Sequence, residues 1–543
     1  MSPYAFIYNK SAEHRMHTGK PLSIVPYHSE QNPFNQLNQS PQLEYIHAYL
    51  LGAGVDSIVV EQNYFDRDYL DEFSAFYSKS AKGYSNICKR VHFFSCPVGA
   101  RLFNSALGGQ PTSVKKLQKN YLGFVVIRPL DTAPFGRTVL AWYGNRDEHS
   151  IRVTPVLRSY TCNVLGLDLK VAGIPWQQQD RGVSACATIA LWSMFHSSAF
   201  DANHSVPTTV EVTNNAHNGS SGKRAFPSTG LSIPELQEAI FSQKLTPKLL
   251  SATKSANNQD GIRVTGFDVS YMASMCAANI RSGYPVLLIG DYIHTESDQM
   301  HAICCIGFRE KEQSAKAPAS YSTMDDDTEI FYIHDDNIGP NARCRLTEED
   351  GFAVLETEAP DYIDDIAARP QPQNKIRFRP TMMLIAVHNE IRMDAAALVA
   401  QGNVDASIMC GLLVKAYENT GLPTPAISYN TQFLNIRRFF SSYLDHLFDG
   451  DRLLLKKVRC SLGSDAPPLC LHIGLVSIGI VGSDGVSRVV DVLYDTTDSV
   501  MNNKVIAHII YDSKLKEIFD RFPEDQIFRF FGSQIIGFND VAP

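Results

Sequence analysis

Apolar and polar positions change their spacing three times along this chain. In the first stretch, 42–51 has helical spacing, 57–61 is a short apolar strand, and 67–78 is acidic and aromatic with helical spacing. Segments 121–129 and 137–142 are rich in β-branched and aromatic residues and predict strands. In the second stretch helices come first. An apolar run over 187–195 predicts a helix, and Ser232-Ile-Pro-Glu235 combines a capping box with an early proline, which starts another. A third helix over 269–281 is stopped by Gly283, and strands follow at 286–290, 301–308 and 329–335. If the last two pair as antiparallel neighbours, the start of one lies beside the end of the other. The segment between them, 309–328, is charged and reads as an exposed hairpin loop of unusual length. In the third stretch 395–420 and 433–448 read as helices. Segments 453–459, 469–481, 486–494 and 504–512 read as β-rich, with a Gly-Ser-Asp-Gly turn at 482–485.

At 543 residues the chain is too long for one core. The three patterns imply an α+β, multi-domain protein: an N-terminal α/β unit at 1–165, a central unit at 166–388, and a C-terminal α+β unit at 389–543 that selects substrate or regulates. A net charge of −8 argues against nucleic acid or an anionic membrane as partner. The N-terminus has no charged-then-apolar signal pattern, and the most apolar stretch, 471–482, is too short to span a bilayer. Eleven scattered cysteines without a Cys-x-x-Cys pair suggest neither zinc nor a disulfide framework, and together these features point to the reducing cytosol. Cys304 and Cys305 are adjacent in a strand and read as core thiols. Glu61, Asp66, Asp68 and Asp71 read as a solvated helix face. His472, Asp491 and Asp495 read as turn and strand-end residues.

The chemistry concentrates in the middle. Cys186 follows a glutamine-rich segment, Gln177-Gln-Gln-Asp180, and opens the apolar helix. A thiolate attacks carbonyls far better than a thiol, and a helix N-terminus stabilises negative charge. His301 heads the strand His301-Ala-Ile-Cys-Cys-Ile-Gly-Phe308, where an imidazole can take and return a proton. Asp335 ends the strand Ile330-Phe-Tyr-Ile-His-Asp335, and a carboxylate there can orient the ring. Asp336 is the alternative acid. Strand alternation places the two acids on opposite faces, so only one is expected to face His301.

The Cys-Ala-x-x-Ala-Leu segment behind its run of glutamines, His-Ala-Ile-x-x-Ile-Gly-Phe and strand-Asp-x-x-x-Gly resemble segments of the papain-fold cysteine peptidases related to bacteriocin-leader-processing peptidases. The resemblance covers about 170–345. It implies a papain-like domain in which a helix carrying the cysteine packs on an antiparallel sheet carrying histidine and aspartate. It also implies a catalytic set of Cys186, His301 and Asp335, with Gln179 donating to the oxyanion. The usual glutamine position, six residues before the cysteine, holds Asp180 here, and Gln179 is one residue further away. The implied reaction is hydrolysis of a peptide or isopeptide bond in a protein or peptide substrate through an acyl-thioester. It needs no metal and no cofactor. A transglutaminase-like acyltransferase or amidase would use the same triad, and a catalytically inactive papain-like interaction protein would keep only the fold.

Overall fold

The computed structural model describes residues 22–537 apart from 143–149, 181, 184, 202–204, 219–223, 258–260, 262, 294–299, 312–316, 361–375, 418–422, 448–451, 465–468, 483–484, 498–504 and 512–534. The tip of the 482–485 turn lies outside the described residues. The fold is α+β, with separate sheets formed by the N-terminal, central and C-terminal parts of the chain.

Five antiparallel strands form the first sheet in sequence order: β1 (Leu22–Pro26), β2 (Ser57–Tyr64), β3 (Cys88–Phe94), β4 (Tyr121–Ile127) and β5 (Phe135–Leu140). Period-two alternation divides it into two apolar faces. Ile58 and Val60 face helix α1 (Pro41–Gly52) through Ile46 and Leu50. Val59 faces the opposite way, toward helices α3 (Ala100–Leu107) and α4 (Pro111–Lys119). Helix α2 (Arg67–Ala75) lies between them in sequence. The acidic residues expected on a solvated face are instead mostly sequestered. Asp66 and Asp68 are buried and face Arg137 at 2.7 and 3.5 Å, and Glu61 holds Arg90 and His92. Helical spacing identified the helix, but Arg137, which draws Asp66 and Asp68 inward, lies on β5, and Arg90, which holds Glu61 of β2, lies on β3.

After strand β6 (Ser150–Val153) and the hairpin β7 (Arg158–Val164) and β8 (Leu167–Gly173) comes α5 (Cys186–Phe195), buried from Ala187 to Phe195. Helix α6 (Thr209–Ala216), capped by Thr208, has no counterpart among the helices expected from the sequence. In α7 (Ile233–Ser242) Glu235 accepts from the Ser232 N–H at 2.7 Å, as the capping-box motif predicts. Strands β9 (Leu245–Ser251), β10 (Lys254–Asn257) and β11 (Arg263–Gly266) precede α8 (Val269–Ser282), which ends where Gly283 turns to φ 99°.

The central strands are β12 (Val286–Tyr292), β13 (His301–Lys311), β15 (Ile330–Asp335), β16 (Gly339–Glu349), β17 (Phe352–Thr357) and β18 (Arg377–His388), with the short β14 (Tyr321–Thr323) between β13 and β15. They pair in that order, β14 excepted, and β18 returns to β12, closing an antiparallel barrel of six strands. The expected antiparallel pairing of the 301 and 330 strands is present. The segment between them is no simple exposed loop. β14 pairs in parallel with a C-terminal strand, and buried Asp325 receives Arg281. Cys304 and Cys305 are core thiols, both fully buried.

The C-terminal part begins with α9 (Ala395–Tyr417), followed by β19 (Ala426–Asn435), β20 (His472–Gly482), β21 (Gly485–Asp495), β22 (Val505–Ile510) and β23 (Ile535–Gly537). Two expectations are corrected here. Residues 426–435 are a strand, with the helical segment confined to 436–447, and 452–464 is a helix rather than β-rich. Leu453, Leu454 and Leu455 look like strand residues singly, but Leu455 and Leu462 share one buried helical face. The 21-residue stretch Ala395–Lys415 is long and apolar enough to cross a membrane by composition, which makes it a stronger candidate than 471–482. In the fold α9 packs on β19 and β20, with Leu398 and Met409 buried. One continuous apolar core runs from Ile174 through the barrel to Ile510, so the central and C-terminal sheets share it.

Gly290 sits opposite His301 in the β12–β13 pair, at a register shift where β12 meets β18. A Cβ there would collide with the Arg379 carbonyl oxygen. Gly290→Ala is therefore expected to destabilise the protein by ~1–3 kcal/mol or more, read as a lower urea midpoint.

Candidate functional site

His301 is the first residue of β13 and is 7% exposed. Its ring stacks on Tyr292 at a centroid separation of 4.8 Å and meets Phe378 edge-on. Its Nε2 lies 3.3 Å from Asp335 Oδ1 and 3.3 Å from Asp336 Oδ1. The expectation that only one acid faces His301 is thus corrected. Alternation holds only within a strand, and β15 ends at Asp335 after a register shift. The chain then turns, and Asp336 swings back to the same side.

The two acids differ in their support. Asp335 accepts from Tyr292 Oη at 2.9 Å and from the Asn337 N–H at 2.8 Å. Asp336 Oδ2 is buried and has no hydrogen-bond partner. Burial, together with the Asp335 charge, pushes the Asp336 carboxyl above its ordinary range, although His301 pulls the other way. For His301 burial pushes downward. The Asp336 and Asp335 charges and hydrogen bonds outweigh it, and the imidazole rises well above the usual histidine range. His334, one residue earlier, has the opposite fate. Burial lowers it to about 4, and its two ring nitrogens meet the Ile174 carbonyl and the Asn341 N–H.

Parts of the chain far away in sequence hold the acid turn. Trp176 Nε1 donates to the Asp335 carbonyl at 2.9 Å, and Gln42 of α1 donates to the Asp336 carbonyl at 2.9 Å. The ring of Tyr45, also on α1, covers Gly339. Asn337 Nδ2 donates to Tyr292 Oη at 3.2 Å, and Asn337 Oδ1 accepts from Gln179 Nε2 at 3.3 Å. Gln179 therefore reaches the histidine–acid turn. Gln177 and Gln178 face elsewhere: Gln177 donates to buried Glu72 at 2.6 Å, and Gln178 Oε1 accepts from the Phe135 N–H.

Asp180, which occupies the usual glutamine position, accepts from the Gly182 and Val183 N–H groups at 2.7 and 2.6 Å. It shapes the turn that leads into the cysteine helix. Cys186 is the first residue of α5 and partly exposed, and the residue at the N-cap, Ala185, has no side-chain acceptor for the first turn. α5 packs across β12, β13 and β15, the strands that carry Tyr292, His301 and Asp335. No hydrogen bond joins Cys186 to His301 among the described residues, and His301 Nδ1 makes none. The structure thus gathers His301, Asp335, Asp336 and Gln179 into one bonded group, with Cys186 on the helix packed against it but not bonded to it.

The chain matches no known family model and no curated protein.

Ligand atoms of His301, Asp335 and Asp336 lie within 4.8 Å of one another, so this is where the described residues would hold a metal ion. The direct contacts between His301 and the acids already account for that clustering. Sequence reasoning missed Tyr292 and Asn337. Ending the strand at 290 hid Tyr292, whereas Asn337 was legible as the polar centre of an Asp-x-Asn-x-Gly turn.

Proposed function

We propose that this protein is a papain-like cysteine hydrolase that cleaves a peptide or isopeptide bond through an acyl-thioester. Cys186 is the nucleophile. His301 takes the thiol proton through Nδ1 and returns it to the leaving amine. Asp335 orients the ring and Gln179 donates to the oxyanion. The observation that carries this reading is the His301 ring. It is fixed at Nε2 by buried carboxylates and by stacking on Tyr292, no partner holds Nδ1 among the described residues, and the strand that carries the ring packs on the helix headed by Cys186. The eleven unpaired cysteines accord with a reducing cytosol as its place of work.

The missing hydrogen bond between Cys186 and His301 favours a second reading, a papain-like interaction protein without turnover. An activity-directed thiol probe separates the two. Labelling confined to Cys186, and abolished by Cys186→Ala, supports the enzyme. Product analysis with added amine then distinguishes hydrolysis from acyl transfer.

The acids should differ in their effect. Asp335→Asn is expected to lower kcat by about 10²-fold or more, because it disturbs the ring, Tyr292 and the Asn337 turn together. Asp336→Asn is expected to cost less than about tenfold and to lower the His301 pKa, since one of its two negative neighbours is gone. Steady-state kinetics across pH checks both. The reverse ranking would move the orienting role to Asp336.

A further inference from the structure

β19 presents Ser428, Asn430, Gln432 and Leu434 to one side by simple alternation. The opposite side, with Ile427, Tyr429 and Phe433, enters the main core. A sheet face roofed by a helix is normally apolar. Here the helical segment 436–447 packs Phe439 and Leu444 on an apolar patch around Leu434, Ile473 and Leu475, but toward Ser428, Asn430, Gln432 and Ser477 the face turns polar, and there lies a cavity of about 570 Å³, a size suited to a small organic ligand. Ser477 on β20 and Arg488 on β21 continue its floor, while Arg438 and Tyr443 come from the roof.

Two features of this cavity call for a ligand. Asn430 is 8% exposed, and its Oδ1 is buried with no hydrogen-bond partner, an acceptor waiting for a donor. Arg438 meets no carboxylate among the described residues; its Nη1 donates only to the Ser282 carbonyl, at 3.2 Å. Burial without a compensating acid lowers its guanidinium pKa. Arg488, by contrast, is tied to Tyr443 and lies 3.8 Å from Asp491.

We propose that this cavity binds a small hydroxylated organic anion, a sugar phosphate or sugar acid. Arg438 receives the anionic group, and ligand hydroxyls donate to Asn430 Oδ1 and exchange hydrogen bonds with the Gln432 amide, which lines the same cavity. The site is separate from Cys186 and His301 and does not depend on the hydrolase reading.

Calorimetric titration of the full chain with glucose 6-phosphate, glycerol 3-phosphate and gluconate tests it, with glucose and inorganic phosphate as controls. At least one hydroxylated anion should bind saturably, about tenfold or more tighter than either control. Arg438→Gln and Asn430→Ala should each weaken it by about tenfold or more, with circular dichroism unchanged. If Arg438→Gln loses its native spectrum, Asn430→Ala decides alone. The proposal is overturned if none of the three anions binds by about 10 mM, if a control binds as tightly, or if a folded variant retains full affinity.

Discussion

In the proposed hydrolase, replacing His301 with alanine is expected to lower the turnover rate by about 10²- to 10⁴-fold, the usual contribution of a positioned acid–base group. The fold should feel it too. Asp335 and Asp336 are 1% and 3% exposed, and their charges hold the His301 imidazole between them toward its cationic form. Leaving buried carboxylates without a cation costs about 3–5 kcal/mol. The pH dependence has a definite sign. Because the folded-state pKa of His301 is raised, its contribution to stability is fully present below the ordinary histidine value of about 6.5 and is lost as pH rises through the higher folded value. Melting temperature measured upward from about pH 6.5 should therefore fall in the parent protein, with this component missing in His301→Ala. A variant as stable as the parent, with the same pH profile, would show that His301 is not charged in the fold.

Arg128→Leu should be nearly as disruptive without touching a catalytic group. Arg128 is fully buried, donates to Glu72 at 3.0 Å, and lies 3.5 Å from Asp180. It also donates to the Ala133 and Gln178 carbonyls at 2.9 Å. Glu72 already sits above its ordinary pKa through burial, and Asp180 organises the turn before Cys186. Removing the cation is expected to cost about 3–5 kcal/mol by urea denaturation. It should also loosen the Gly182–Val183 turn, read as faster amide hydrogen exchange there. A loss below about 1 kcal/mol would mean that Glu72 and Asp180 are neutralised without Arg128.

Local pattern carried the central part of the chain well. The capping box at Ser232, the stop at Gly283 and the antiparallel 301 and 330 strands all follow from residue spacing, because each depends on neighbours within one turn or one pleat. What depends on distant partners was not legible. The closure of β18 on β12 is set by residues some ninety positions apart. The burial of Asp66 and Asp68 depends on Arg137. Likewise, the position of Asp336 depends on where β15 stops and on Gln42 reaching in from α1. Period-two reasoning failed there because it was carried one residue past the end of the strand. In the candidate site, His301, Asp335 and Gln179 were visible as residue types in suitable places. Tyr292 was hidden by ending its strand at 290, and Asn337, legible as the centre of its turn, is joined to Gln179 and Tyr292 only in three dimensions.

The central claim is that Cys186 and His301 form a thiolate–imidazolium pair. The most direct measurement is the rate of iodoacetamide alkylation at Cys186 from about pH 4 to 9, followed by peptide mass spectrometry, with free N-acetylcysteine as the reference thiol. The paired thiolate predicts that Cys186 still reacts rapidly near pH 5–6, where the reference thiol is nearly inert, and that His301→Ala removes this advantage. If Cys186 instead follows the pH profile of the reference thiol, with and without His301, the pair does not exist and the hydrolase reading fails.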